Sequence, residues 1–282
     1  MAEFEIRNAS ARDIALMRDW AEEEGWNPGD SDRHAFAVAD PAGFLVGRRS
    51  GEPLGCISAV RYGAGSGFIG FYITRPSVRG QGYGIQLWRA GMARLDGRVV
   101  GLDGVVDQQD NYRRSGFSHA WNNIRFEGAP GNGAVRPEGF TLVDAGTIPF
   151  GQLTAYDRRF FPETRGGFLA AWTSLPGRTA VAALHEGELR GLGVIRPCSG
   201  ASRIGPLYAD APDVAAALIH SLAASAPGTA VAVDVPDQNK AATDLMQELG
   251  FVPTFETARM YTGPVPEIDR RGLFGITSLE LG

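Results

Sequence analysis

The most restrictive feature of this sequence is an internal repeat with a period close to 135 residues. Landmarks of the first half recur in order in the second half: a strand-like opening, a glycine-bounded hairpin, a glycine late in a strand and a Gly-Phe pair. The strand-like openings lie at residues 4–7 and 140–143, and the hairpins at 51–55 and 187–191. The strand glycines are Gly70 and Gly205, and the Gly-Phe pairs lie at 116–117 and 250–251. Because these landmarks recur in the same order and at nearly the same offset, the sequence predicts two copies of one domain. A length of 282 residues fits that prediction at about 150 residues per domain.

Hydrophobic periodicity predicts the secondary structure of each copy. Ser10 followed by Asp13 indicates the N-cap of an opening helix. Ile85 and Trp88 lie at helical spacing within a long helix predicted over residues 82–95. The predicted order is strand, two helices, three strands, helix, strand, helix and strand, and the second copy follows it. The sequence therefore predicts the α/β class in its α+β form, with a central mixed β-sheet flanked by helices in each copy.

The repeat also predicts the domain limits. The first domain spans residues 1–128 and the second spans residues 138–265. Residues 128–139 are rich in glycine and proline and are the predicted linker. A tail over residues 266–282 has strand-like composition and could return to pair with either sheet.

Composition argues against several functional classes. The chain carries 27 basic and 32 acidic residues, a net charge of −5, which disfavours nucleic acid as a partner. Cys56 and Cys198 stand far apart without metal-ligand spacing, so neither a disulfide framework nor a metal site is expected. No apolar run approaches the ~18 residues that cross a bilayer, and the start does not resemble a leader. We therefore expect a cytoplasmic protein without a membrane partner. The strong preference for arginine, with Lys240 the single lysine, is typical of a GC-rich bacterial genome.

The sharpest local motif is a glycine-rich loop between a predicted strand and the long helix. Glycines allow the backbone to wrap closely, and the free amides at a helix N-terminus attract phosphate. The spacing Arg/Gln-x-x-Gly-x-Gly/Ala is weak alone, and its position before an amphipathic helix gives it weight. The loop consists of Arg79, Gly80, Gln81, Gly82, Tyr83 and Gly84.

Two further motifs stand at fixed places around this loop. Thr74-Arg75-Pro76 precedes it, and Tyr112 opens a Tyr-x-x-x-Gly-Phe motif that ends at Phe117. With the loop and the element order, these motifs resemble the GCN5-related N-acetyltransferase (GNAT) family. The resemblance covers residues 4–127 well, and residues 138–265 resemble the degenerate second domain of tandem members.

The resemblance implies an N-acetyltransferase that moves an acetyl group from acetyl-CoA to a primary amine of a small molecule. Transfer would be direct, within a ternary complex, and no metal is implied. Tyr112 would be the general acid that protonates the CoA sulfur. The backbone of Tyr72, Ile73 and Thr74 would pair with the pantetheine arm, and one of those amides would polarise the thioester carbonyl. The phosphate-binding set would run from Arg79 to Gly84 and continue to Ile85.

The general base stays open at this level. Asp103 ends the fifth predicted strand and Asp107 follows it, but the second copy has an equivalent Asp234, which favours a structural role for Asp103 at least as much. A water chain to bulk solvent would also serve. Glu280 in the tail could reach the acceptor amine, although a solvated carboxylate near the end of the chain is the expectation that we favour.

The second copy lacks the features that carry the chemistry. Four residues are missing from the interval that holds the loop, and Asp210 and Asp213 stand where the glycines would be. Carboxylates at a helix N-terminus satisfy its dipole themselves and would repel a pyrophosphate. Met246 replaces the tyrosine. The second copy is therefore predicted not to bind acetyl-CoA productively, but to shield the first copy in place of a partner subunit, which makes a monomer plausible, and to wall the acceptor site.

Two other functions fit parts of the pattern. A non-catalytic acyl-CoA sensor or scaffold would use the same loop without turnover. A dinucleotide-binding oxidoreductase would carry its glycine loop after the first strand, with an acidic residue ~20 positions on, whereas this loop follows the fourth predicted strand.

Overall fold

A computed structural model describes residues 3–131, 138–226, 228 and 230–282. Both copies show the predicted succession of strands and helices, which confirms the fold class. The first copy contains β1 Phe4–Asn8, α1 Ala11–Glu23, α2 Asp32–Ala39, β2 Phe44–Arg49, β3 Glu52–Tyr62, β4 Ser66–Thr74, α3 Tyr83–Arg94, β5 Val99–Val105, α4 Gln109–Arg114 and β6 Ser118–Gly128. The second contains β7 Phe140–Asp144, α5 Phe150–Asp157, α6 Gly166–Ser174, β8 Thr179–His185, β9 Glu188–Arg196, β10 Ser202–Ala209, α7 Pro212–Ala224, β11 Val231–Pro236, α8 Lys240–Glu248 and β12 Val252–Tyr261, followed by β13 Leu273–Gly275.

The strands form one continuous sheet in which the two copies exchange their last strands. The order is β1-β2-β3-β4-β5-β12-β6-β11-β10-β9-β8-β7, and β13 pairs with β10 outside this path. Strand β12 of the second copy therefore lies beside β5 of the first, and β6 of the first lies beside β11 of the second. The sequence repeat marks the copies correctly along the chain, but it carries no signal of this exchange.

Buried ion pairs fix the exchanged strands in register. Arg259 on β12 donates two hydrogen bonds of 2.7 Å to Asp103 on β5. At the equivalent place in the other half, Arg125 on β6 donates bonds of 2.8 and 3.3 Å to Asp234 on β11. Burial alone would raise the pKa of Asp234, but Arg125 and Arg203 hold it well below its usual range. Such pairs add little net stability, yet breaking one leaves an uncompensated buried charge, so they specify the exchange.

Helices cover both faces of the sheet. Successive β4 residues point to opposite faces, so Phe68 packs in a cluster with helices of both copies, whereas Ile69 packs against α3. Helices α7 and α8 cover the equivalent part of the second copy. The predicted N-cap of α1 is confirmed, because Ser10 and Asp13 form a reciprocal capping box. Ile85, in the first turn of α3, is 46% exposed, whereas Trp88 one turn later is buried.

Part of the predicted linker lies outside the described residues, namely residues 132–137. Strand β6 ends at Gly128 and β7 begins at Phe140, and the domain limits stay a prediction. Within the described ranges, no helix is both long and apolar enough to cross a membrane.

Candidate active site

A slot opens in the sheet where β4 and β5 diverge. Their parallel pairing ends at Ile69 and Leu102. Immediately afterwards β4 bulges, because its ladder with β3 gains one extra residue near Phe71, whose φ is 46°. Beyond the bulge the β4 edge from Tyr72 to Thr74 faces a cavity of about 690 Å³. An unpaired strand edge can bind an extended chain as an added strand, so the slot suits the pantetheine arm.

The glycine loop closes one end of this cavity. Gly80 and Gly82 have φ values of 79° and 84°, a region that disfavours residues with a Cβ atom. Gly82 is the N-cap residue of α3 and offers no side chain to the first amides of the helix. Those amides are left free for an anion at the end of a twelve-residue helix.

The predicted phosphate-binding residues divide into two groups. Arg79, Gly80, Gly82, Gly84 and Ile85 line the cavity with the three β4 residues, whereas Gln81 and Tyr83 do not. The Gln81 side chain donates to the Ser77 carbonyl at 3.2 Å, and the Tyr83 hydroxyl accepts a 3.0 Å bond from Arg49. Gln81 and Tyr83 would therefore contact a phosphate through their backbone amides.

Arg79 stands at the rim of the cavity with its guanidinium already engaged. Its Nε donates to the Thr74 carbonyl at 2.9 Å, and the head group pairs with Glu24. Arg79 therefore binds to the end of β4, and a phosphate would compete with Glu24 for it.

Tyr112 lies across the slot from β4. Its ring packs 5.5 Å from that of Trp88 and 6.4 Å from that of Phe117, measured between centroids. Within the described part of the chain its hydroxyl has no hydrogen-bond partner. Burial raises the pKa of this hydroxyl, so Tyr112 is protonated at neutral pH and has a proton to donate.

Asp103, one of the open candidates for the general base, is occupied by structural contacts. Besides its two bonds from Arg259, it accepts a 2.7 Å bond from the Asn123 amide. Burial raises the pKa of the Asp103 carboxyl, and Arg259 opposes that rise. This geometry favours a structural role. Asp107 also lines the cavity but is exposed at its rim.

The expectation of a solvated Glu280 is wrong. The residue is 2% exposed and lines the cavity beside Asp103. It arrives there because the tail crosses β4 at Gly70, where any Cβ atom would collide with the Glu280 carbonyl. At the equivalent Gly205, a Cβ atom would lie 2.6 Å from the carbonyls of Ile276 and Thr277. These two glycines were visible as repeat landmarks, but nothing in the sequence tied them to the tail.

In the second copy the corresponding slot is filled by the tail itself. Strands β10 and β11 pair only over Ser202–Ile204 before they diverge. Strand β13 pairs with β10 through Leu273 and Gly275, and the Ile276 amide donates to the Asp234 carbonyl at 3.0 Å. The Asn239 side chain caps α8 and donates to the carbonyls of Arg271 and Leu273 at 2.9 and 3.0 Å, which holds the tail in place. An extended cofactor arm therefore has no room there.

The other replacements in the second copy have distinct roles. Met246 is 0% exposed in the core of that half. Asp213 lies in the first turn of α7, as expected, and accepts a bond of 2.9 Å from the Val214 amide. Asp210 does not serve that helix, contrary to expectation, because it pairs with Arg159 and Arg190 at 2.9 and 3.4 Å.

The second copy also forms one wall of the first copy's cavity. Phe255 and Thr257 on β12 and Leu279 and Glu280 on the tail line it, together with Trp26 of the first copy. Strand exchange brings β12 to this position. Among the described residues, no three of His, Cys, Asp or Glu converge in a way that could hold a metal ion.

Comparison with known proteins decides the family. The model of the acetyltransferase (GNAT) family matches residues 11–117, and that of an acetyltransferase (GNAT) domain matches residues 153–275. A holothin acyltransferase from Pseudoalteromonas sp. (strain SANK 73390) is 31% identical over 275 residues, covering 97% of this chain and 93% of the relative. The chain belongs to the GNAT family. Acyl transfer is the activity that this membership supports.

Other GNAT proteins share the tandem architecture. The uncharacterized N-acetyltransferase YitH of Bacillus subtilis (strain 168) is 24% identical over 83% of this chain and 82% of its own. A Pyrococcus horikoshii structure assigned as an acetyltransferase superposes with a TM-score of 0.83 at 21% identity, covering 99% of this chain and 96% of the other. A tandem GNAT protein from the clavulanic acid biosynthesis pathway gives a TM-score of 0.67 at 17% identity, over 93% of this chain and 100% of that one. The predicted tandem GNAT fold is confirmed.

Proposed function

We propose that the first copy transfers an acetyl group from acetyl-CoA to a primary amine of a small molecule. The observation that carries this proposal is the asymmetry of the slots: the one between β4 and β5 is open and leads to a free helix N-terminus, whereas the other is filled. A relative named as a holothin acyltransferase supports acyl transfer.

The residues of the slot suit each requirement of the reaction. Attack on a thioester needs a neutral nitrogen, a stabilised oxyanion and a protonated leaving sulfur. The open backbone edge of β4 can supply an amide to the carbonyl oxygen, and Tyr112 can supply the proton to sulfur. Each group lines the same cavity.

Direct transfer fits the side chains that line the cavity better than a covalent acyl-enzyme does. Among the described residues around it there is no cysteine or serine. Cys56, on the adjacent β3, is buried and bonded to the Phe71 carbonyl at 3.2 Å, and burial raises the pKa of its thiol. It is therefore a poor nucleophile, so both substrates would meet in one ternary complex.

We also propose that the chain works as a monomer. The second copy completes the first copy's sheet with β12 and walls its cavity, which is the contribution that a partner subunit would otherwise make. Gel filtration with light scattering checks this; a stable dimer would contradict it.

Turnover with a panel of small amines tests the proposal. Release of free thiol from acetyl-CoA is measured with phenethylamine, tryptamine, benzylamine and putrescine as acceptors. Tyr112→Phe should lower kcat about 10²–10⁴-fold, the range for general acid catalysis, with acetyl-CoA affinity unchanged. Tight binding of acetyl-CoA without thiol release from any amine would contradict catalysis and favour the acyl-CoA sensor.

A further inference from the structure

Two polar side chains on the cavity wall are buried without hydrogen bonds. Neither carboxylate oxygen of Glu280 nor the hydroxyl of Thr257 has a partner within the described part of the chain. Both residues line the cavity, and both come from the second copy. Leaving a buried polar group unsatisfied costs about 1–3 kcal/mol, and more for a charged one. Two such groups on one cavity wall are suited to a ligand or an ordered water that completes their bonding.

The charges around Glu280 explain how it can stay buried. Arg203 Nη1 approaches a Glu280 oxygen at 3.6 Å, too far for a hydrogen bond, and donates instead to the Asn27 carbonyl at 3.3 Å, while Nη2 donates to Asp234. Asp103, by contrast, has its oxygens occupied by Arg259 and Asn123. Arg203 therefore offsets the charge of Glu280 and leaves its lone pairs available. A ligand that donates N–H bonds is the complement to these oxygens.

We infer that Glu280 binds the acceptor's amino group and takes its proton, while the Thr257 hydroxyl helps to hold that group. This inference rests on the proposed function. It assigns the missing base of the first copy to the tail of the second copy. The aromatic rings of Trp26 and Phe255 line the same cavity. They favour as acceptor a small primary amine that carries an aromatic ring.

The step balances as follows. An acceptor that arrives as an ammonium ion gives one proton to the Glu280 carboxylate, which later releases it to bulk water. The freed lone pair forms the N–C bond, the C–S bond breaks, and the Tyr112 hydroxyl protonates the leaving sulfur. The second nitrogen proton passes to water, from which Tyr112 recovers its own. One proton is released per turnover, and amide and free thiol are the products.

The test compares Glu280→Gln with the matched variant Glu267→Gln, an exposed glutamate nearby in the tail. Phenethylamine, tryptamine and benzylamine serve as acceptor probes. Glu280→Gln should lower kcat/KM about 10²–10⁴-fold, with most of the loss in kcat. Acetyl-CoA affinity should be unchanged, and Glu267→Gln should match the wild type. Thr257→Val should raise KM about tenfold, the effect of one lost hydrogen bond, with kcat nearly unchanged.

Two outcomes would overturn the assignment: a Glu280→Gln enzyme within about threefold of the wild-type rate, or a loss of kcat/KM that comes from KM alone with kcat unchanged. If this variant melts more than about 10 °C below the wild type, Glu280→Ala with added formate decides instead. A rise in rate of about tenfold or more supports the base, because a small carboxylate can replace it, and no rise overturns it. Wild-type enzyme that binds acetyl-CoA but acetylates no amine would contradict the proposed function, whereas normal turnover by Glu280→Gln would overturn this inference alone.

Discussion

The two halves of the molecule contain the same break in the sheet and use it in opposite ways. In the first half β4 bulges near Phe71, parts from β5 and leaves a cavity of about 690 Å³. In the second half β10 bulges near Gly205 and parts from β11, but β13 fills the gap. The backbone geometry of the fold thus survives in both halves. Whether it becomes a binding site depends on what occupies the opening.

The ion pairs of the exchanged strands offer the largest expected effect. Arg259→Met should destabilise the protein by about 3–5 kcal/mol, because Asp103 is left as a buried carboxylate without its arginine. Arg125→Met should cost less, since Asp234 keeps Arg203. Urea unfolding measures both. Equal losses of unfolding free energy for the two variants would show that the ion pairs of the two halves do not differ in their contribution to stability.

The two halves should differ in their affinity for acetyl-CoA, because only the first half has the glycine loop. Gly82→Asp should weaken acetyl-CoA binding by about 100-fold or more, because it adds a negative charge and backbone strain where the phosphates would lie. Gly97→Asp is the matched control, since Gly97 also has a positive φ, 75°, with open space around it and no contact with the cavity. Asp213→Gly should leave the affinity unchanged. Similar affinities for Gly82→Asp and Gly97→Asp would refute the role of the loop.

The filled slot should contribute to stability rather than to binding. Asn239→Ala removes the cap of α8 and two bonds to the tail, so we expect a loss of about 2 kcal/mol in the free energy of unfolding. Asn8→Ala, at an exposed site, should change it by less than about 0.5 kcal/mol. A loss no larger at Asn239 would mean that the tail is not held as described.

The smallest expected effect is on the stability of the protein at alkaline pH. Burial raises the pKa values of Tyr62, Tyr112 and Tyr208, so folding favours their neutral forms. Their contribution to stability is complete below the unfolded pKa of about 10 and is lost as pH rises further. Tyr112→Phe should therefore make stability less dependent on pH between about 10 and 11. The same ionisation should not lower kcat below about pH 10, and a decline near pH 8 assigned to Tyr112 would contradict its role as buried acid.

Local patterns were enough to predict the elements and much of the cavity. The capping box at Ser10 and the loop around Gly82 both follow from residues close together in the sequence. The roles of the predicted site residues remain predictions, although most of them line one cavity. Short-range chemistry therefore predicted residues that the fold brings together around one cavity.

Contacts between distant segments could not be predicted in the same way. The exchange of β6 and β12 changes no periodicity, because either strand would show the same alternation beside either neighbour. The position of Glu280 depends on where the tail crosses the sheet, over 200 residues away at Gly70. The strand-like composition of the tail does not identify the strand with which the tail pairs. The Glu280 carboxylate, which lies at the cavity, was therefore expected in solvent.

Calorimetric titration with acetyl-CoA tests the central claim most directly, because it counts the sites. If only the first half has an open slot, one equivalent should bind per chain, and Gly82→Asp should weaken that binding by about 100-fold or more while Asp213→Gly retains it. Two equivalents per chain, or one equivalent that survives Gly82→Asp, would contradict the account.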